Sequence, residues 1–227
     1  MAISAYVISA IAGCFNQESG INPGIWEGLV QPSDTFWHVH TDGYGGYGLG
    51  QLTNTMESAG VAWRLLDYYQ WVVSVGYAPY DGNAQLEYYF NVEQVWFNDP
   101  VTRGNYTTIQ QFLNTSSTNI PDLVWDFLAN WEGVPGDHYN DRVNYANTVY
   151  SYIQQHYQDN PSSYTWIQGN RNLDPPERLN NAMCMYFALQ GLPPGPGPGP
   201  GPSPAADRKR NIIIYTRPLY KRFRAKK

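Results

Sequence analysis

Gly13-Cys14-Phe15-Asn16-Gln17-Glu18-Ser19-Gly20-Ile21-Asn22-Pro23 is the stretch on which the fold turns, and it is answered downstream by Gly46-Tyr47-Gly48-Leu49-Gly50-Gln51. Around it, Val7, Ile8, Ile11, Ala12 and Phe15 recur at i, i+1, i+4, i+5 and i+8, which predicts a helix over residues 3–17. Gly20 and Pro23 end that helix. One carboxylate, Glu18, is thereby carried to its C-terminal end, and a glycine-rich segment returns opposite it. This is how a cleft is built around a single acid.

Residues 24–52 are short of helix formers and rich in Gly, Trp, His and Tyr, so they read as a long loop or small β-hairpin. An excursion of that length points to a functional segment. From Thr53 the pattern is helical again. Thr53 or Asn54 caps a helix reaching about Val75, with Trp63, Leu66, Tyr69, Val72 and Val73 on one side. Asp81 caps another, with Leu86, Tyr89, Phe90, Glu93, Val95 and Trp96. Short helices are expected at about 107–114 and 121–131, a long one at about 139–157 and a last amphipathic one at 176–190. The expected fold is mainly α with a small β or loop excursion. Residues 1–160 form the main domain, 161–192 a polar connection and C-terminal helix, 193–206 a Pro/Gly linker that stays extended, and 207–227 a basic tail.

Charge is divided along the same lines. Residues 1–206 hold five arginines, no lysine and eighteen carboxylates, a formal −13, whereas residues 207–227 hold nine cations and one carboxylate, a formal +8. The acidic body is a poor nucleic-acid binder, so nucleic acid is a partner for residues 207–227 alone. Aromatic residues make up 15% of the chain, which suits a surface for flat polar ligands such as sugars, although core packing accounts for most of them. Cys14 and Cys184 lie in apolar stretches at no metal-ligand spacing and are expected as free buried thiols. No apolar run is long enough for a transmembrane helix. Ile11-Ala12-Gly13-Cys14 has the form of a lipoprotein cleavage site, but Met1 to Ala10 contains no Lys or Arg, and cutting there would remove the first helix.

Cleaving a glycosidic bond requires a carboxylic acid that protonates the leaving oxygen, and a partly dry site keeps such a proton in place near neutrality. Glu18 at the end of an apolar helix meets that demand, with a solvated helix-end glutamate as the plainer alternative. Glu18-Ser19-Gly20-Ile21-Asn22-Pro23 followed by Gly48-Leu49-Gly50-Gln51 resembles the paired motifs of lysozyme-like muralytic domains, most closely the phage tail lysozyme family, related to goose-type lysozymes and lytic transglycosylases. Gln85-Leu86-Glu87 through Glu93, and Phe127-Leu128-Ala129-Asn130-Trp131-Glu132, agree with the same pattern in the same order, so the resemblance covers about residues 1–155.

The resemblance implies an α+β lysozyme-like domain in which the excursion forms one side of a glycan cleft. It implies a virion-associated peptidoglycan hydrolase of the phage tail or tail tip, acting on the bacterial cell wall without metal or cofactor. The bond would be the MurNAc-GlcNAc β-1,4 linkage. Glu18 becomes the general acid and Gln51 a sugar contact. Ser19 supports the turn beside the substrate site, and Tyr47 lines the cleft or packs beneath the glycine loop. Glu132 takes a structural part.

A hydrolase needs a second carboxylate. Asp42, with its glycine-rich neighbours, is placed ahead of Asp34 and Glu27, whereas a lytic transglycosylase needs none. His38-Val39-His40 with Asp42 is a weak zinc pattern lacking a third strong ligand. Peptidoglycan strands are the expected substrate. The basic tail would attach to virion proteins, nucleic acid or an anionic polymer. A non-catalytic glycan-binding tail or spike component is the competing class.

Overall fold

A computed structural model describes residues 3–29, 45–53, 64–98 and 104–192. Its centre is α1 (Ala5–Ser19), started by Ser4, whose hydroxyl accepts the Val7 amide at 3.3 Å. Gly20, at φ 62°, ends it in the left-handed region that glycine enters without penalty. The helix extends two residues beyond the expected 17, so Glu18 lies in its last turn. Every residue from Val7 to Cys14 is buried along with Phe15, including Ser9 and Gly13 outside the apolar stripe. A helix with few charges can be wrapped on all sides, and the others are arranged around it.

The long α6 (Tyr139–His156) runs along α1, with Tyr6 and Tyr150 stacked at 4.3 Å. On another side α5 (Ile120–Phe127) brings Phe127 edge-on to Phe15 at 5.8 Å. The remaining helices are α2 (Arg64–Val75), α3 (Gly82–Glu87), α4 (Ile109–Leu113) and α7 (Pro175–Leu189). The expected helix from Thr53 is seen from Arg64 onward, and residues 54–63, Asn54 and Trp63 among them, lie outside the described residues. Both α3 and α5 continue as π-helical turns, Tyr88–Glu93 and Leu128–Glu132, so the helix expected over 121–131 changes its winding at Leu128. β structure among the described residues is limited to the antiparallel bridges Trp26–Tyr47 and Tyr47–Leu52. The fold is a mainly helical, lysozyme-like arrangement.

One expectation is revised. Residues 158–174 are more than a polar connection, because Tyr164, Trp166 and Leu173 are buried and the Trp166 indole donates to Asn83 Oδ1 at 2.9 Å. Asn22 Nδ2 satisfies the carbonyls of Gly169 and Arg171, both at 2.7 Å, tying this segment to the turn after α1. With Ala182, Met183, Cys184, Met185 and Phe187 of α7 also in the core, residues 161–192 share one hydrophobic interior with the helices before them. Both cysteines are free and buried, and Cys14 sits in the middle of α1. Among the described residues no helix is long and apolar enough to cross a membrane.

Candidate active site

The loop facing α1 is held by interactions that require its glycines. Gly48 has φ 76°, and a Cβ there would come within 2.6 Å of the Gln85 carboxamide. A Cβ on Gly50 would collide with the indole of Trp131. Gln85, fully buried on α3, fastens three segments: its Oε1 accepts the Leu49 amide at 2.8 Å, and its Nε2 donates to the carbonyls of Pro23 at 2.7 Å and Pro79 at 2.9 Å. Ser19 makes the remaining link from α1. Its Oγ lies 2.9 Å from Leu49 O and 3.0 Å from Phe15 O, one of which takes its single proton, and it accepts the Asn22 amide at 3.3 Å. The Glu-Ser motif and the Gly-Leu-Gly-Gln motif are therefore joined through backbone atoms, and Ser19 is a buried brace between them.

Between turn and loop opens a pocket of about 410 Å³ whose walls include Glu18, Gln51, Thr53 and Arg64, with Glu27, Glu132 and Asp137 adding carboxylates. The Glu18 side chain is 24% exposed, and its Oε1 accepts from Arg142 Nη2 at 2.6 Å. Gln51 has φ 47°, and its Nε2 donates to Gly48 O at 2.9 Å, folding the carboxamide against its own loop at the pocket edge. Glu27 Oε2 accepts the amides of Gly45 and Gly46, each at 3.1 Å, and so fixes the point where the excursion returns. Tyr47 takes the second of its two expected places: it is 4% exposed beneath the loop, its ring 4.6 Å from that of Trp26, and burial drives its hydroxyl well above the usual tyrosine range. Asp42 lies outside the described residues, as do Asp34, His38 and His40. Among the described residues no cluster of His, Cys, Asp and Glu is placed to hold a metal ion.

Two arginines that the sequence reading passed over organise the charge. Arg64 forms a two-point pair with Glu93 at 2.7 and 2.8 Å and lies 4.6 Å over the Trp131 ring. Arg142 has no exposed side-chain surface. It donates from Nε to Asp137 O at 3.0 Å, from Nη1 to Cys14 O at 3.0 Å, and from Nη2 to both Glu18 and, at 3.1 Å, Asp137 Oδ2. Burial opposes its charge, yet Cys14, then Glu132 and Glu18 beside it outweigh that and hold it above the ordinary arginine range. A signal for it was present. Arg142 shares the buried stripe of α6 with Ala146, Val149 and Ile153, and an arginine in such a stripe demands buried partners.

This arrangement presents one partly buried carboxylate, oriented by a rigid cation, across a pocket from a carboxamide that can bind a polar chain. A family model for phage tail lysozyme matches residues 2–153. A search of curated proteins finds no match. The matched span contains Glu18, Gln51, Gln85, Glu132 and Arg142, every element described around the pocket, and the chain belongs to the phage tail lysozyme family, lysozyme-type enzymes of phage tails that act on peptidoglycan.

Proposed function

We propose that the chain is a virion-associated hydrolase that cleaves the MurNAc-GlcNAc β-1,4 bond, with Glu18 protonating the leaving oxygen. The observation that carries this reading is the position of Glu18. It stands in the last turn of a helix buried from Val7 to Phe15, in the wall of an open pocket, with Arg142 fixing one oxygen and Gln51 lining the same pocket. The second oxygen of Glu18 is the atom assigned to the substrate. Hydrolysis is preferred to transglycosylation because three further carboxylates line the pocket and the proposed water-holding Asp42 lies three residues before Gly45, which the pocket-lining Glu27 grips. Residues 207–227, beyond the Pro/Gly linker, are proposed to tether the acidic body to the virion through their positive charge.

The test is digestion of purified sacculi by wild type and Glu18→Gln, with the fragments analysed by mass spectrometry. Glu18→Gln is expected to lose at least about a hundredfold in rate while keeping its fold. Retained activity would overturn the assignment, and 1,6-anhydro ends in the wild-type digest would replace hydrolysis by transglycosylation.

A further inference from the structure

A general acid has to carry a proton, whereas a guanidinium 2.6 Å from a carboxylate favours the ionised form. Taken alone, the Arg142 contact opposes the chemistry assigned to Glu18. The same Nη2 has a second acceptor, however, in Asp137 Oδ2 at 3.1 Å. We propose that Arg142 is the positioning residue for Glu18 and that Asp137 is the alternate acceptor that neutralises Arg142 whenever Glu18 holds its proton. This inference rests on the reading of Glu18 as the acid.

Three observations carry it. Arg142 is immobile: its fork is held by Asp137 O and Cys14 O at 3.0 Å each, so Nη2 stays in place whichever carboxylate it serves. The two acceptors differ in setting, Glu18 lying within the pocket wall and Asp137 half exposed on the turn before α6. Water can therefore stabilise charge on Asp137 when Glu18 is neutral. Both carboxylates accept from one nitrogen, so each also feels the other's charge.

Among the described residues, the other charged groups around the pocket are Glu132 at the end of the π turn, Glu27 beside the loop and Arg64 on α2. On α1 itself the Cys14 thiol is pushed far up by burial and stays neutral. His138 Nε2 stands 3.8 Å from the other oxygen of Asp137. None of these donates to the carboxylate oxygen that Asp137 turns to Arg142.

Full-length wild type, Asp137→Asn, Arg142→Lys and Glu18→Gln are compared for sacculus digestion across pH, with thermal unfolding measured alongside. Loss of the general acid on raising pH defines the alkaline limb. In Asp137→Asn, Nη2 keeps Glu18 as its carboxylate acceptor while Glu132 remains nearby, and that limb is expected at lower pH by about one unit while the unfolding temperature is kept. Arg142→Lys, which cannot reproduce the fork, loses at least about tenfold in kcat with little change in KM. Should that variant not fold, the exposed Asp137 change decides the matter. An unmoved or upward-moving limb in Asp137→Asn, with Glu18→Gln inactive, overturns this inference and leaves the acid assignment standing. Activity in Glu18→Gln overturns the assignment itself.

Discussion

Gly13 on α1 lies directly against the backbone carbonyl of Arg142 on α6: a methyl group on Gly13 would collide with that oxygen and come within 2.9 Å of Ala146 Cβ. The missing side chain allows the two helices to approach, and their approach brings the guanidinium of Arg142 to Glu18 one turn further along α1. Gly13→Ala is expected to cost about 2–3 kcal/mol through overpacking. It should also reduce sacculus digestion, because α6 can yield only by moving Arg142. Differential scanning calorimetry and a turbidity assay on the same preparation measure both effects.

Gln85 bonds the loop, the Pro23 turn and the Pro79 segment at once. Gln85→Leu preserves bulk but strands a buried amide and leaves two carbonyls to find other donors. A loss of about 3 kcal/mol follows. Hydrogen exchange should then be fast at the Leu49 amide, while the amides of α6 keep their protection.

Gln51 allows backbone and side chain to be separated. Its φ of 47° is tolerated by glycine without strain, so Gln51→Gly removes the carboxamide and leaves the turn intact. Unfolding temperature should stay close to wild type, and kcat/KM on sacculi should fall by about tenfold, the worth of one hydrogen bond to substrate. Equal activity in the two proteins would remove Gln51 from the substrate site.

Acid stability is expected to depend on the start of α7. Glu177 is held down to about 2 by Arg171, whose two terminal nitrogens reach it at 2.6 and 2.8 Å, and by the Asp174 amide in a capping box. A carboxylate depressed in the folded state stabilises above its unfolded value, and that contribution fades as pH falls from about 4.5 to about 2. Glu177→Gln should therefore flatten the acid side of the stability curve and lower stability at pH 7. Urea denaturation at pH 7, 4 and 2.5 resolves the difference.

Burial pushes the Cys184 thiol up to about 12 and Cys14 further still. Neither should react with a thiol reagent at pH 8 in the native protein, and both should react together when it unfolds. Labelling of Cys14 before global unfolding would mean that α1 opens locally.

The first helix and its stop at Gly20 were legible because each depends on neighbours a few residues away, whereas the facing of Glu18 and the Gly48–Gln51 loop, some thirty residues on, was read from the family resemblance. Helix starts from Asp81 onward followed from apolar spacing for the same local reason, although the helix begun at Asp81 ends at Glu93, where Gln94 turns left-handed, short of the expected Val95 and Trp96. What stayed hidden was long-range. Arg142 meets Glu18 across 124 residues of chain, and Asn22 meets Gly169 across 147, distances at which periodicity says nothing. Tyr47 could be read as wall or as packing until its burial against Trp26 was seen. Residues 158–174 looked polar because three buried aromatic or apolar side chains, Tyr164, Trp166 and Leu173, are scattered among exposed ones.

The π turns that end α3 and α5 have a practical consequence. Each closes a wider ring than its α-helix, accommodating an extra residue, and each delivers an acid to the centre of the molecule, Glu93 to Arg64 and Glu132 to the pocket. Deleting the extra residue from Leu128–Glu132 would close the turn to an α-helical ring and leave the winding beyond it in phase. The two turns thus decide where Glu93, Trp131 and Glu132 stand, so their length matters to the site as much as their side chains do.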